Sequence, residues 1–328
     1  MHVLEQTLTT AAGVSVDKID LHILSLLYAD CRIPYRTIAS TVGISANAVK
    51  TRVKKMTTKG IIQKFIVEVN PAIFGYEKQC LLVVRNIDKI ITKEKDYVFN
   101  QLNLLGDVFG YAKHLGGDII FLLLVRPEAE DKIELITSLL KPATIEYRFA
   151  MINPPSMNVS ISDLKIIKCL LSNARMEIAD IAKESSISPR TATRRIEKLT
   201  QNHMLDFRII RDMSSMNLTG YIDFILVVAV NKSAYRGVIE RMYREMQEYL
   251  TNIPLDIAGS DVIIALFFCS NIPTVDSIVT RVKSYVGVQR VELFITTKVV
   301  YHQEWLVREI NKALRSYPKI TVRSGAVK

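Results

Sequence analysis

The 328-residue chain contains the same unit twice. Shifted by 143 positions, Asp20-Leu21 falls on Asp163-Leu164, Ile38-Ala39 on Ile181-Ala182, and Ile44-Ser45 on Ile187-Ser188. Arg52 falls on Arg195 and Lys55 on Lys198. The register runs without a gap from Asp20 to Ile62. Where identities differ the apolar pattern still matches, so that Val49, Val53 and Met56 become Ala192, Ile196 and Leu199. A repeat of this length is one structural unit used twice, and any fold assigned to the first copy must also suit the second.

Each unit opens with helices. Leu21, Leu24, Leu27 and Tyr28 share one side of a helix that starts near Asp20, and Ile33–Ala39 opens a second. Val42-Gly43-Ile44-Ser45 is a turn in which Gly43 adopts left-handed backbone cheaply. Ser45 then caps a third helix with Val49, Val53 and Met56 inward. In the second copy Ser188 is the cap and Pro189 suits the first helical position, where its missing N–H costs nothing. Ala192, Ile196 and Leu199 point inward there, leaving Arg190, Thr193 and Arg194 outside. Three short helices with a tight turn before the third form a helix-turn-helix pattern. Gly60 suits a helix C-cap, and the β-branched run Ile61–Val69 reads as one or two strands ended by Asn70-Pro71. A strand pair at this point is a wing. Ser186 and His203 replace Gly43 and Gly60 in the second copy, which predicts a different turn shape there and weakens the case for its wing.

The rest of each unit also corresponds. Gly75-Tyr76 before Cys80–Val84 resembles Gly220-Tyr221 before Phe224–Val228. A helix-competent stretch follows (Thr92–Leu105; Ala234–Leu250), then a strand, a Gly-containing turn, an apolar strand, a helix and a last strand. That order, βαββαβ, predicts a ferredoxin-like sheet with two helices on one face. The expected fold class is α+β: two tandem copies of a winged helix-turn-helix followed by a ferredoxin-like domain. The expected boundaries are an arm at 1–15, winged helix-turn-helix units at 16–74 and 161–216, and ferredoxin-like domains at 75–150 and 217–300. Residues 151–160, with Pro154 and Pro155, read as a linker. Residues 301–328 read as a helix over the second sheet, formed by Trp305, Leu306, Ile310 and Leu314, and a basic tail with Lys319, Arg323 and Lys328.

Composition narrows the function. Cys31, Cys80, Cys169 and Cys269 are scattered and the five histidines dispersed, which speaks against a metal site, a disulfide framework or a metal cofactor. The apolar runs Phe121–Val125 and Val262–Phe268 are too short to span a bilayer. The N-terminus lacks the pattern of a signal peptide, so a cytoplasmic location is expected. A formal net charge of +10 favours a polyanionic partner.

The charge is concentrated where a duplex reader needs it. Residues 45–64 hold six basic side chains and no acid. Lys and Arg clusters gain affinity for the phosphate backbone by releasing counterions. Lys50, Arg52, Lys54, Lys55, Lys64, Arg195, Lys198, Arg208 and Arg211 are the expected phosphate contacts. Arg pairs bidentately with guanine and Asn with adenine. Asn47, Thr51, Arg190, Thr193 and Arg194 are therefore the expected base contacts. Arg52 and Arg195 have an equal alternative as internal ion-pair partners.

Residues Val16–Leu24, Ile38-Ala39, Val42–Ser45, Arg52-Val53, Gly60–Ile62, Val69–Pro71 and Gly75-Tyr76 together resemble the signature of the Lrp/AsnC family of prokaryotic transcription regulators. The resemblance implies a DNA-binding regulator, not an enzyme, whose sheet domain pairs with a second copy and can take an amino-acid or other small-molecule effector. The family pattern points to Gly117, Asp118, Gly259 and Asp261 as effector-site candidates. Duplication implies that the pairing occurs within one chain, as a pseudo-dimer with unequal readers, and leaves edge strands for homo-oligomerisation. The alternative is a tetrapyrrole enzyme, because siroheme decarboxylases resemble tandem Lrp/AsnC proteins. Their chemistry needs clustered His and Arg in the sheet-domain cavity, and only His114 lies in either sheet domain.

Overall fold

The computed structural model describes residues 16–86, 95–125, 129–152, 157–212, 221–252 and 261–316. The N-terminal arm, both linker prolines, Gly259 and the basic tail lie outside these residues. The first copy contains α1 (Lys18–Ala29), α2 (Tyr35–Val42), α3 (Ala46–Thr58), β1 (Ile62–Val69), β2 (Lys78–Arg85), α4 (Lys95–Leu102), β3 (Gly106–His114), β4 (Ile119–Val125), α5 (Ala129–Leu139) and β5 (Thr144–Met151). The second contains α6 (Ile161–Ser172), α7 (Ile178–Ser185), α8 (Pro189–Gln201), β6 (Leu205–Arg211), β7 (Ile222–Val230), α9 (Tyr235–Met246), β8 (Leu250–Asn252), β9 (Val262–Cys269), α10 (Ile272–Lys283) and β10 (Val288–Tyr301). A last helix, α11 (Glu304–Ser316), has no counterpart among the described residues of the first copy.

The sheet strands run β5-β2-β4-β3-β10-β7-β9-β8. Each half places its four strands in the order fourth, first, third, second, as a ferredoxin-like βαββαβ unit requires. The seam between halves is β3 against β10. The first part of β10, Val288–Ile295, pairs with β7, and Thr296–Tyr301 crosses over to pair with β3. Both faces of the sheet are covered, which is why its strands read as unbroken apolar runs. In β2, Cys80, Leu82 and Val84 pack under α4 and α5. Alternate residues Leu81 and Val83 pack with Ile225, Ile264 and Phe294 of the other half. The two helix-free faces thus close on each other.

The wing expectation needs correcting. Residues 62–69 form a single strand, and its partner is β6 of the other copy, antiparallel. Ile66 pairs with Arg208 and Phe65 with Ile209, while Val67 pairs with Phe207 and Lys64 with Ile210. Subtracting 143 from the second-copy partner in each case returns the mirror pairing, so a local two-fold axis passes between these strands. A lone two-stranded hairpin would leave one apolar face open to water, whereas the cross-copy pair buries Val67, Val69, Leu205, Phe207 and Ile209 in the core shared by both helix-turn-helix units.

The second copy's turns also keep their shape. Gly43 ends α2 at φ 74°, ψ 30°, and Ser186 ends α7 at φ 57°, ψ 47°. His203 follows at φ 53° where Gly60 has φ 78°. Packing of α8 holds both non-glycines in left-handed backbone at a local cost. Ser186→Gly and His203→Gly are each expected to stabilise the chain by about 0.5–1 kcal/mol, read as a higher denaturation midpoint. A lower midpoint would show that these side chains contribute more than their backbone costs.

The terminal helix was expected over the second sheet, and α11 instead lies across α6 and the first copy. Trp305, Leu306 and Ile310 enter the helix-turn-helix core. The Trp305 ring meets Phe74 and Tyr76 edge-on, with centroids 6.2 and 5.7 Å apart. Arg308 Nη2 reaches Asp107 of β3 at 2.8 Å, and Lys168 of α6 donates to Asn311 at 3.2 Å.

Candidate nucleic-acid interface

Each reading helix begins at a serine cap. Ser45 Oγ accepts from the Ala48 amide at 3.1 Å, and Ser188 Oγ from the Thr191 amide at 3.2 Å. Val49, Val53 and Met56 anchor α3; Ala192, Ile196 and Leu199 anchor α8. The opposite faces are open: Asn47, Lys50, Thr51, Lys54, Lys55, Arg190, Arg194 and Lys198 are all exposed. Thr193 is half-buried. Among the described residues none of the exposed eight makes a hydrogen bond or ion pair through its side chain. A row of unpaired cations on a capped helix suits a polyanion, since nothing internal must be broken to engage one.

Five expected phosphate contacts already have internal partners. Arg52 Nη1 binds Asp17 at 2.7 Å and Asp20 at 2.8 Å, and both acids form the capping box of α1. Arg195 repeats this in the second copy, with Asp163 at 2.9 Å and Ser160 Oγ at 2.8 Å. These arginines sit on the flank of their helices that faces α1 or α6, and they fix the reader to its scaffold. Arg208 Nη1 caps the end of α1 through the Tyr28 and Ala29 carbonyls at 3.2 and 2.9 Å. Arg211 is buried and paired with Asp223 at 2.8 Å. Lys64 is exposed, and its Nζ donates to Gln303 Oε1 at 2.9 Å.

Sequence reasoning missed the residues that join the two readers. Arg32 Nη1 donates to the Ala174 and Met176 carbonyls at 2.7 and 3.0 Å. Arg175, its repeat mate, donates from Nη1 to the Cys31 carbonyl. Each guanidinium also stacks on an aromatic ring of the strand pair, Arg32 on Phe207 at 5.5 Å and Arg175 on Phe65 at 5.6 Å. The signal was present, because Arg occupies both positions of the 143-residue register. These reciprocal bonds and the symmetric β1–β6 register relate α3 to α8 by the same local two-fold.

Of the effector-site candidates, Gly117 lies in the turn between β3 and β4, and Asp118 is already paired. Arg85 Nη1 holds its carboxylate at 2.9 Å, while the same guanidinium contacts Glu146 at 3.3 Å and Glu292 of the other copy. Asp261 is exposed at the start of β9. The four cysteines are free and buried, and burial pushes the Cys31 thiol up to about 12. No cluster of three or more potential metal ligands occurs among the described residues. No described helix is long and apolar enough to cross a membrane.

Comparison with known proteins agrees with this geometry. Residues 16–57 match the AsnC-type helix-turn-helix domain, and residues 160–205 match a winged helix-turn-helix DNA-binding domain. The chain thus carries two helix-turn-helix domains, the first of AsnC type, and is similar to Lrp/AsnC regulators. The HTH-type transcriptional regulator LrpA of Pyrococcus abyssi is 29% identical over 130 residues, covering 38% of this chain and 84% of that protein. Ptr1 of Methanocaldococcus jannaschii, also named an HTH-type transcriptional regulator, is 42% identical over 67 residues, covering 20% and 45%. An uncharacterized HTH-type transcriptional regulator of Pyrococcus furiosus is 34% identical over 89 residues, which is 25% of this chain and 60% of that protein's length. This chain therefore spans less than two thirds of the length of some of the curated relatives it matches. Among solved structures, the siroheme decarboxylase NirDL is similar at 14% identity and a TM-score of 0.48, covering 91% of this chain and all of that one. AsnC of E. coli is similar at 21% identity and a TM-score of 0.32, covering 42% and 92%.

Proposed function

We propose that this chain is a transcription regulator that binds double-stranded DNA, with its two helix-turn-helix units acting as an intrachain pseudo-dimer. The observation that carries the reading is the pair of capped helices, two-fold related, each with unpaired exposed cations on its outer face. A two-fold pair suits an inverted repeat, with half-sites about one helical turn or a multiple apart. Lys50, Lys54, Lys55 and Lys198 are the phosphate contacts of this reading. Lys64 joins them on exchanging Gln303 for a phosphate. A cytoplasmic location belongs with this role. The reading also includes a small-molecule effector at the sheet domains, whose cationic group would exchange with Arg85 at Asp118. Further pairing of chains would use the free edges at β5 and β8.

Duplex binding measured across salt concentrations tests the proposal, and absence of binding at low salt would overturn it. Replacing Lys50 and Lys54 with alanine is expected to weaken binding to all sequences alike. Each lost phosphate contact flattens the log–log salt slope by about 0.9, so the pair should flatten it by about two. An unchanged slope would place these lysines off the backbone. Tetrapyrrole chemistry on the same fold gains no support from His114, which is buried between the sheets and has no polar side chain bonded to it. Titration with a tetrapyrrole separates the two readings, an absorbance shift favouring the enzyme.

A further inference from the structure

The two readers are equivalent in backbone and position but present different chemistry, and the difference is ordered. With about 100° of rotation per residue, the second, sixth and ninth residues after each serine cap stand directly opposite the buried stripe. In α3 these are Asn47, Thr51 and Lys54; in α8 they are Arg190, Arg194 and Glu197. All six are exposed, and none has a side-chain partner among the described residues. Lys50 flanks the row in α3, while its mate Thr193 in α8 is uncharged.

Base edges discriminate among these side chains. Arg forks onto the O6 and N7 of guanine, Asn onto the N6 and N7 of adenine, and Glu accepts from the N4 of cytosine. The second and sixth positions lie in the first two turns, the part of a recognition helix that meets base edges. Two arginines one turn apart therefore suit neighbouring guanines. Asn followed by Thr suits adenine and then a thymine methyl or a neutral polar edge. Resting on the DNA-binding reading above, we infer that the chain's site is an inverted repeat with unlike arms: a guanine-bearing arm read by Arg190 and Arg194, and an adenine-bearing arm read by Asn47. Copy one supplies more of the backbone charge and copy two more of the base discrimination. A homodimer cannot make this distinction, because its two readers are identical by symmetry. Duplication with divergence at the outward positions makes it within one chain and fixes the orientation of the site.

The test is selection of duplexes from a random pool with the intact chain and with the variant Arg190→Asn, Arg194→Thr, which gives α8 the first two outward residues of α3. The intact chain is expected to enrich an inverted repeat with guanines in one arm and adenine at the equivalent position of the other. The variant is expected to lose the guanine preference by roughly 5- to 150-fold per contact and to enrich two similar, adenine-bearing arms. Both residues are exposed and unpartnered, and the variant's circular dichroism and salt slope with non-specific DNA report that its fold and remaining contacts persist. Identical arms for the intact chain, or guanines retained by the variant, would overturn the inference while leaving DNA binding in place. Failure of the intact chain to retain any duplex at low salt would overturn both this inference and the DNA-binding reading.

Discussion

Replacing Asp223 with alanine is expected to destabilise the chain by about 3–5 kcal/mol. Asp223 opens β7 in the second sheet, and its partner Arg211 ends β6 in the helix-turn-helix pair, so their 2.8 Å contact spans the junction between the two layers. The side chains are 5% and 6% exposed. Arg211 also lies over the rings of Tyr28 and Phe268, at 5.2 and 5.8 Å. Burial pushes the Asp223 carboxyl above its ordinary range, and Arg211 opposes that only in part. The Oδ2 and the Arg211 Nε are both buried without a hydrogen-bond partner. Such a pair adds little net stability, because desolvation offsets most of the attraction. Removing one member, however, strands the other charge in apolar surroundings. The double replacement Arg211→Met, Asp223→Leu should therefore recover most of the loss in the single variant. Chemical denaturation of the three proteins decides the point. A loss below about 1 kcal/mol for Asp223→Ala would mean that water reaches Arg211.

The helices and sheet order were readable because their signals are local and appear twice. Serine caps, period-3.6 stripes and the 143-residue register each point to the same elements. The misread features depend on contacts distant in the chain. Nothing in Ile62–Val69 says that its partner strand begins at Leu205. The apolar stripe of α11 shows that a surface is covered, but not which one. Arg52 and Arg195 were ambiguous because a repeated arginine serves equally well as a scaffold pin or a phosphate ligand. The repeated acids Asp20 and Asp163, each a capping-box residue, settle the choice once α1 and α6 are placed beside them.

Arg211 was misassigned although its setting was legible. Period-two alternation along β6 puts it on the same face as Leu205, Phe207 and Ile209, which are all buried. A charge on that face has to find an internal partner. For Asn47, Lys50, Lys54, Arg190 and Arg194, helical rotation alone gives exposure, and the structure agrees because no element among the described residues covers that side of either helix.

His114 leads to the last expected result, a stability that rises with pH between about 4 and 6.5. It occupies the β3 face that carries Ala112, turned toward the other sheet, with the Phe294 ring 5.1 Å away. It is 4% exposed, and neither ring nitrogen has a hydrogen bond of good geometry. Burial, opposed only in part by the Ile295 backbone, lowers its pKa from 6.5 to about 4. Within that interval the unfolded chain binds a proton that the folded chain excludes. Stability is therefore complete above pH 6.5 and falls as the pH drops toward 4, by on the order of 3 kcal/mol in total. Other groups of the chain also change protonation over this pH range, so the informative quantity is a difference. The stability of the native chain minus that of a His114→Phe variant, measured from pH 4 to 7.5, should climb by that amount and level off near pH 7. At the plateau the variant should match or exceed the native chain, since it removes two unsatisfied nitrogens from an apolar layer. A difference independent of pH would mean that the imidazole is protonated alike in the folded and unfolded states, and that the space between the sheets is wetter than its lining of Leu81, Val83, Ile225 and Ile264 requires.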